Sequence, residues 1–315
     1  MESFSPEKWM SELPDEKKLV LVNIPGSHDS TAYNMNVFGG KFAKTQNLDI
    51  KGQLKIGVRK FDIRVAIRPP NFLRKSLSQD VIDGDRDLIC VHGMCDCYYF
   101  ENKKKRHLVY KDILLDLKNF LEENKKEVII LETDSGRGNR YNHIKRSIEI
   151  REKILGDMAI NYNKDMTLAE ARGKVVCTCF QTGEKDGKPQ FNMNDIGGKG
   201  INEIHYNHQD NYSTWKVDGK TKVEELTILF DIAKDFKTVE EEFEKNSKNY
   251  PLVYSISCTG EQNNKLFYPD PKAQFKVVKP FFMKYEFKKG YYYGWIHIDF
   301  VDLDIAKKII ETNFL

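Results

Sequence analysis

Short runs of β-branched and other apolar residues recur along the chain and predict buried strands. Several runs are continuous rather than alternating, which is typical of strands that are buried on both faces of a sheet. In chain order they are KLVLVNI, GVRKFDIRV, DLICVHG, KEVIILET, GKVVCTCF, PLVYSIS and YYYGWIHIDF. This pattern favours a parallel sheet with helices outside it.

Segments with apolar residues at helical spacing lie between these runs. The clearest is VYKDILLDLKNFLEENKKE, and KVEELTILFDIAKDF and LDIAKKIIETNF repeat the pattern. In the first of them the residues predicted to share one apolar face are Ile113, Leu114, Leu117, Phe120 and Leu121. Alternating strands and helices predict an α/β fold, a closed or nearly closed (β/α) barrel, with a doubly wound open sheet as the alternative.

The chain shows no repeat at solenoid period and no Pro- or Gly-rich linker long enough to divide its 315 residues. We therefore expect one domain spanning residues 1–315, and a monomer. The 50 basic and 47 acidic side chains give a formal charge of +3, which excludes the one-sided charge of a general nucleic-acid binder.

No apolar run approaches the roughly 18 to 20 residues of a membrane-spanning helix. The first residues, MESFSPEKWM, lack a basic segment followed by an apolar one, as a secretory leader would have. These features predict a cytoplasmic or peripheral membrane protein, or a secreted one whose leader has been removed.

Polar side chains that follow apolar strands are candidates for chemistry, because the active site of such a barrel lies at the carboxyl ends of its strands. They are His28, Asp29, Asp62, Arg64, His92 and Asp299. Taken singly, a histidine after a strand is more often a turn or core residue, and an Asp-x-Arg pair is commonly a structural salt bridge. Together, two imidazoles can supply a base and an acid while an arginine holds an anionic phosphate. The set fits phosphodiester cleavage.

Several ordered motifs identify a family that the chain resembles. They are WMSELPD, IPGSHDS, GVRKFDIR, VHG, KEVIILE, ARGKVV and GWIHIDFVDLD. They resemble the X-domain family of phosphatidylinositol-specific phospholipases C, both the small bacterial enzymes and the single-domain eukaryotic X-domain proteins, from about Trp9 to the C-terminus. The resemblance implies an irregular, distorted TIM barrel and cleavage of phosphatidylinositol, or of a glycosylated inositol lipid anchor, to diacylglycerol and inositol 1,2-cyclic phosphate.

The resemblance also implies roles for the strand-end residues. His28 would be the general base that takes the proton of the inositol 2-hydroxyl, and Asp299 would orient it. His92 would protonate the departing diacylglycerol oxygen, with Asp29 supporting it on the leaving-group side. Arg64 would bind the phosphate and offset charge developing on its oxygens.

Three further residues are expected near the substrate. Asp62 would orient Arg64, and Arg172 matches a family arginine that binds inositol hydroxyls, although a salt bridge to Glu170 or another surface acid fits the sequence equally well. Glu132 falls where the calcium-dependent relatives place a ligand and the small bacterial enzymes place a lysine that contacts inositol. A further inositol contact is expected from either Asp195 or Asp210.

The resemblance predicts that no metal is needed, because Arg64 replaces a carboxylate of the calcium-dependent enzymes and can supply the positive charge of the ion. A divalent cation near Asp29, Asp62 and Glu132 is the alternative.

The expected partner is an inositol lipid in a membrane that the protein contacts transiently, with no nucleic acid. Three aromatic stretches are predicted to rim the barrel mouth, namely Tyr98–Phe100, Phe267–Pro269 and Pro280–Phe282. The basic run 102–107 would add attraction to anionic lipid, although a solvated loop explains it as well.

Two other functions compete with this one. A metal-dependent glycerophosphodiester phosphodiesterase can share the barrel, but its pattern resembles His-Arg-Gly and Glu-x-Asp, where this chain has His28-Asp29 and Asp62-x-Arg64. A non-catalytic inositol-lipid binding protein on the same fold finds support in Glu132 alone.

Overall fold

The computed structural model describes residues 5–35, 43–67, 87–101, 104–138, 140–163, 165–178, 223, 226–227, 230–231, 233–245, 255–258 and 271–314. Asp195, Asp210 and the stretch Phe267–Pro269, each predicted above to contact the substrate or the membrane, lie outside these residues.

The described residues form a mixed α/β structure, as the sequence predicts. The strands are β1 (Ile24–Ser27), β2 (Lys60–Ile67), β3 (Leu88–His92), β4 (Cys95–Asp96), β5 (Tyr98–Glu101), β6 (Lys104–His107), β7 (Ile129–Ser135), β8 (Ala159–Asn161), β9 (Val175–Thr178), β10 (Lys234–Asp235), β11 (Ser255–Cys258), β12 (Tyr291–Tyr292) and β13 (Trp295–Ile298). The helices are α1 (Ile50–Lys55), α2 (Tyr110–Glu123), α3 (Arg140–Leu155), α4 (Leu168–Ala171), α5 (Phe236–Lys245), α6 (Pro271–Lys284) and α7 (Leu303–Glu311). Short 3-10 helices are Pro6–Glu12, Leu19–Leu21 and Gly156–Met158.

The central sheet is parallel along the path β11-β13-β1-β2-β7-β9-β8. Strand β3 pairs with β2 in the antiparallel direction and also pairs with β4. Strands β5 and β6 form a separate antiparallel hairpin. Among the described strands no pairing joins β8 to β11, so this part of the sheet does not close into a complete barrel.

Alternate residues of each strand face opposite sides of the sheet, and the side chains on the two sides belong to different apolar cores. The outward side chains of β2, such as Phe61 and Ile63, join the largest apolar core with the buried face of α2. That face includes all five residues predicted to share it, and they are Ile113, Leu114, Leu117, Phe120 and Leu121. The inward side chains near the amino ends of the strands, such as Ile24 and Ile130, form a second apolar core.

The inward positions become polar toward the carboxyl ends of the strands. In β2 the residues that alternate with Phe61 and Ile63 are Lys60, Asp62 and Arg64. In β7 the register partners of Asp62 and Arg64 are Glu132 and Asp134. A parallel sheet therefore gathers charged side chains at one end of its inner face, which is where a barrel of this class places its active site.

One predicted membrane contact is wrong. Phe281 and Phe282 do not rim the barrel mouth, because they lie in α6 and pack with Phe230, whose ring is 5.9 and 5.6 Å from theirs. Phe282 is fully buried. Among the described helices, none is long and apolar enough to span a membrane.

Candidate active site

His28 and Asp29 directly follow β1, in a turn that the neighbouring strands hold in place. The side-chain amide of Gln46 donates to the backbone carbonyls of His28 and Ile298, at 2.8 and 2.9 Å, and so ties the ends of β1 and β13 together. Asp29 adopts a φ of 40°, a left-handed conformation that aspartate tolerates better than most residues. The turn thus presents two consecutive polar side chains at the end of one strand.

The His28 imidazole lies between two carboxylates. Its Nδ1 is 2.9 Å from Oδ1 of Asp299, which follows β13, and its Nε2 is 3.2 Å from Oδ2 of Asp29. The same Oδ2 is 3.1 Å from Nε2 of His92, and the two imidazole centroids are 6.3 Å apart. One carboxylate oxygen therefore joins the two predicted acid-base groups.

His92 reaches this point at the end of β3. The other ring nitrogen, Nδ1, is 2.7 Å from the backbone carbonyl of Ala43, which can only accept a hydrogen bond. This contact fixes the ring so that Nε2 faces Asp29 and the interior of the site. The His92 side chain keeps about a quarter of its surface exposed, so a substrate atom can approach it.

The Arg64 guanidinium is held by a bidentate pair with Asp62. The Nε and Nη2 atoms donate to the two carboxylate oxygens of Asp62 at 2.7 and 3.1 Å. Nε also lies 3.6 Å from Oδ1 of Asp29, and Nη1 lies 3.5 Å from Oδ2 of Asp134. Asp62 is fully buried and Arg64 partly exposed, so the carboxylate anchors a cation that still faces the site.

The charges of the site shift its pKa values in opposite directions. Burial alone would raise the pKa of Asp62, but Arg64 and then His28 outweigh it and hold that pKa well below its usual range. Burial alone would lower the pKa of His28, but the carboxylates of Asp29 and Asp299 outweigh it and raise this pKa to about 10. In the free protein His28 is therefore mostly an imidazolium at neutral pH, and a reaction that uses it as a base should accelerate as the pH rises.

We expect the substitution Asp29→Asn to lower the pKa of His28. The charge of Asp29 makes the largest single contribution that raises this pKa, so without it the titration should move from about 10 toward the ordinary value of 6.5. The measurement is an NMR titration of the His28 ring nitrogens. Asp134→Asn is the matched control and should leave the midpoint near 10, because Asp134 contacts Arg64 rather than His28. An unchanged midpoint in Asp29→Asn would contradict this electrostatic account.

A second charged cluster lies one step closer to the amino ends of the strands. Lys60 Nζ is 2.5 Å from Oε2 of Glu132 and also contacts Nε2 of His297, and all three side chains are buried. Gly26 is the register partner of both Lys60 and His297. A Cβ on Gly26 would approach Cβ of Lys60 to 3.2 Å, so glycine allows the lysine to cross the barrel interior at this point.

We expect Lys60→Met to destabilise the fold by about 3 to 5 kcal/mol, because it leaves the carboxylate of Glu132 buried without its cation. The double variant Lys60→Met/Glu132→Gln should recover most of this loss. Both free energies of unfolding come from denaturant titration. If Lys60→Met alone were as stable as the parent protein, the buried carboxylate of Glu132 would not depend on the charge of Lys60.

The structure changes the predicted cation site. His28, Asp29 and Asp62 offer ligand atoms within 4.8 Å of one another, whereas Glu132 pairs with Lys60 instead. The guanidinium of Arg64 already faces the carboxylates of Asp29 and Asp62. A divalent cation would lie beside a fixed positive charge, so this donor set does not suit Ca²⁺, which prefers several uncompensated oxygen ligands.

Arg172 is not part of this site, and its predicted contact with inositol is wrong. It follows α4 and precedes β9, at the amino end of the sheet, whereas the catalytic candidates lie at the carboxyl end. Its guanidinium is 2.5 Å from the carboxylate of Asp15. It also donates to the backbone carbonyls of Met10, Leu13 and Lys126. Through these four partners Arg172 connects the N-terminal segment to the segment before β7.

Parts of the chain are similar in sequence to known proteins. No family model matches the chain. A 1-phosphatidylinositol phosphodiesterase of Staphylococcus aureus is 52% identical over 63 residues, which is 20% of each chain. Its counterpart in Listeria monocytogenes is 37% identical over 84 residues, covering 24% of this chain and 26% of the relative. The human PI-PLC X domain-containing protein 3 is 25% identical over 177 residues, 47% of this chain and 48% of the relative. The matches thus span from a fifth to about half of these relatives.

Solved structures extend the likeness to the whole chain. The phosphatidylinositol-specific phospholipase C of Listeria monocytogenes aligns with a TM-score of 0.63 and 20% identity, covering 99% of this chain and 100% of the other. A double mutant of the Staphylococcus aureus enzyme gives 0.65 and 21%, covering 99% and 98%. The fold is that of the bacterial phosphatidylinositol-specific phospholipases C. The resemblance and the TIM-barrel-like fold predicted from the sequence are confirmed.

Sequence reasoning missed Lys60, Asp134 and His297. Lys60 and Asp134 each lie two residues from a predicted site residue on the same strand, and therefore on the same face, and His297 lies in β13, two residues before Asp299. Period-two spacing within the predicted strands was the signal that could have found them.

Proposed function

We propose that this protein cleaves phosphatidylinositol, or a glycosylated inositol lipid, at the bond between phosphate and glycerol. The observation that carries the proposal is the placement of two imidazoles 6.3 Å apart, on either side of one carboxylate, with a guanidinium beside it. This arrangement offers a base, an acid and an anion-binding group to a single phosphodiester. The names of the relatives point to the same lipid.

In the proposed first step His28 accepts the proton of the inositol 2-hydroxyl. The oxygen attacks the neighbouring phosphorus, and a new P–O bond closes the 1,2-cyclic phosphate. Asp299 accepts a hydrogen bond from Nδ1 of His28, at 2.9 Å, and stabilises the imidazolium that this step produces. Nucleophile and phosphorus belong to one bound molecule, so the step needs no external water.

The bond from phosphorus to the glycerol oxygen breaks as His92 gives a proton to that oxygen. Asp29, 3.1 Å from Nε2 of His92, holds this proton until transfer. Arg64 binds the non-bridging phosphate oxygens and offsets their developing charge, while Asp62 fixes its orientation through the bidentate pair. The products are diacylglycerol and inositol 1,2-cyclic phosphate.

The proposed reaction needs no metal ion. The position of Arg64 supports this proposal, because its guanidinium lies beside the carboxylates of Asp29 and Asp62, which a metal cation would otherwise bind. The same guanidinium argues against a metal-dependent glycerophosphodiester phosphodiesterase. Glu132 gives no support to a non-catalytic lipid binder either, since it is buried and paired with Lys60.

The test is to incubate the protein with phosphatidylinositol in detergent micelles, with and without EDTA, and to follow phosphorus NMR. We expect the resonance of a five-membered cyclic phosphate in both samples. Absence of product in both would reject the enzyme, and loss of product with EDTA alone would reject the metal-free mechanism.

A further inference from the structure

The most exposed large apolar side chains of the described residues follow His92 in the sequence. Met94 is 85% exposed and Phe100 is 60% exposed. The other described large apolar residues that count as exposed are Leu115, Met283 and Leu303, at 37 to 39%. Single exposed apolar residues are normal on protein surfaces, but two that stand out in this way, six residues apart in sequence, indicate a contact surface.

Both residues are fixed close to the catalytic candidates. Met94 lies in the turn between β3, which ends at His92, and β4. Phe100 lies in the β5–β6 hairpin, which begins two residues after β4. The side chain of Asp96 in β4 joins the two parts, because it contacts Nε2 of His107 at 3.2 Å and also the guanidinium of Arg137.

Arg137 in turn donates to the backbone carbonyl of Gly93 at 3.4 Å. Since Arg137 follows the carboxyl end of β7, these contacts place the turn and the base of the hairpin at the end of the barrel that carries the active site.

The exposed part of the hairpin carries positive charge next to Phe100. Phe100 pairs in register with Lys105, and Tyr99 pairs with Arg106. The Lys105 and Arg106 side chains are exposed, and the Lys105 ammonium lies 3.7 Å from the centre of the Tyr98 ring. Exposed apolar side chains with adjacent cations fit a surface that is apolar in its interior and negatively charged at its boundary. An anionic lipid bilayer has this chemistry.

We propose that the β3–β4 turn and the β5–β6 hairpin dock the protein on an anionic lipid bilayer, with Met94 and Phe100 entering the interface and Lys105 and Arg106 facing the headgroups. The orientation rests on the proposed function, because a lipid substrate must reach His92 from the membrane. The docking itself does not depend on catalysis, so the two can be tested separately.

The experiment measures sedimentation of the protein with phosphatidylcholine vesicles, with and without phosphatidylserine and without any inositol lipid. Phe100→Ser and Met94→Ser should each weaken binding by about tenfold or more, because each removes apolar area from the interface. Met283→Ser is the matched control, an exposed apolar residue at the carboxyl end of α6, and should bind as the parent protein does.

The charged residues have their own control. Lys105→Gln/Arg106→Gln should weaken binding to the phosphatidylserine vesicles by about 25-fold at low salt, since each basic residue near the surface is worth about fivefold. The matched double variant is Lys276→Gln/Lys307→Gln, which removes two exposed lysines elsewhere and should have no comparable effect. High salt should remove the difference between parent and hairpin variant.

A second readout separates docking from catalysis. Turnover of a water-soluble short-chain phosphatidylinositol, kept monomeric, should be unchanged in all of these variants. Failure of the parent protein to bind the phosphatidylserine vesicles, or undiminished binding by the Phe100 and Lys105/Arg106 variants, would overturn the docking proposal. Vesicle binding that depends on these residues, without turnover of any inositol lipid, would uphold docking and reject the proposed reaction instead.

Discussion

Replacing His92 by alanine is expected to lower turnover of phosphatidylinositol by about 10² to 10⁴-fold, the usual contribution of a general acid or base. The loss should shrink greatly on an inositol phosphodiester whose leaving group is p-nitrophenol, because that group departs without a proton. His28→Ala should lose a similar factor on both substrates, since the 2-hydroxyl must be deprotonated in either case. The measurement is kcat/KM for each variant on each substrate.

A histidine outside the site provides the control. His143 lies in α3 and bonds through Nδ1 to the Ser135 hydroxyl at 2.7 Å, and His143→Gln should keep kcat/KM within a few-fold of the parent. If His92→Ala lost the same factor in kcat/KM on both substrates, His92 would not be the general acid. Near-normal turnover by His28→Ala would remove His28 from the role of base.

The second large effect is expected at Arg64. Arg64→Met should reduce kcat/KM by about 10² to 10³-fold, as loss of one preorganised donor to a developing oxyanion typically does. The kcat/KM of Arg64→Lys should lie between those of the parent protein and Arg64→Met, because lysine keeps the charge but loses the bidentate geometry with Asp62. Kinetics with and without added Ca²⁺ measure both the loss and any rescue.

Arg146→Met is the comparison for Arg64. Arg146 also pairs with carboxylates, those of Asp87 and Glu149, but it lies in the helix α3 and not at the end of a strand, and its loss should leave turnover unchanged. If Arg64→Met regained activity with Ca²⁺, the site would prove able to use a cation in place of the guanidinium. Unchanged activity without any ion would reject the role of Arg64 in phosphate binding.

The sequence predicts much of this site because strand direction and strand period are local properties. An apolar run that ends in a polar residue places that residue at the carboxyl end of a parallel strand, and this holds for His28 and Asp299. The alternation in KFDIR likewise places Asp62 and Arg64 on one face. Lys60 belongs to the same alternation, but a lysine that crosses a barrel interior to a glutamate on the next strand is a tertiary contact that spacing alone does not specify.

One other feature could not be read from the residues. The run LICV predicts a strand but not its direction, and β3 pairs with β2 in the antiparallel direction. The approach of His92 to Asp29 therefore depends on the tertiary fold. Arg172 shows the opposite case. Its position three residues before β9 already places it at the amino end of the sheet, and the motif resemblance suggested a contact that this polarity excludes.

The shared carboxylate of Asp29 has a consequence for ligands other than the substrate. In the free site an internal anion already occupies the space between the two imidazoles, with the guanidinium beside it. An incoming phosphate must compete with that carboxylate for the same donors. Hydrogen bonds from Asp29 N to Asp62 and from Thr45 to Asp29 O fix the backbone, so only the side chain of Asp29 can turn aside. Small inorganic anions, which bring no inositol ring or lipid to add binding energy, should therefore be poor inhibitors.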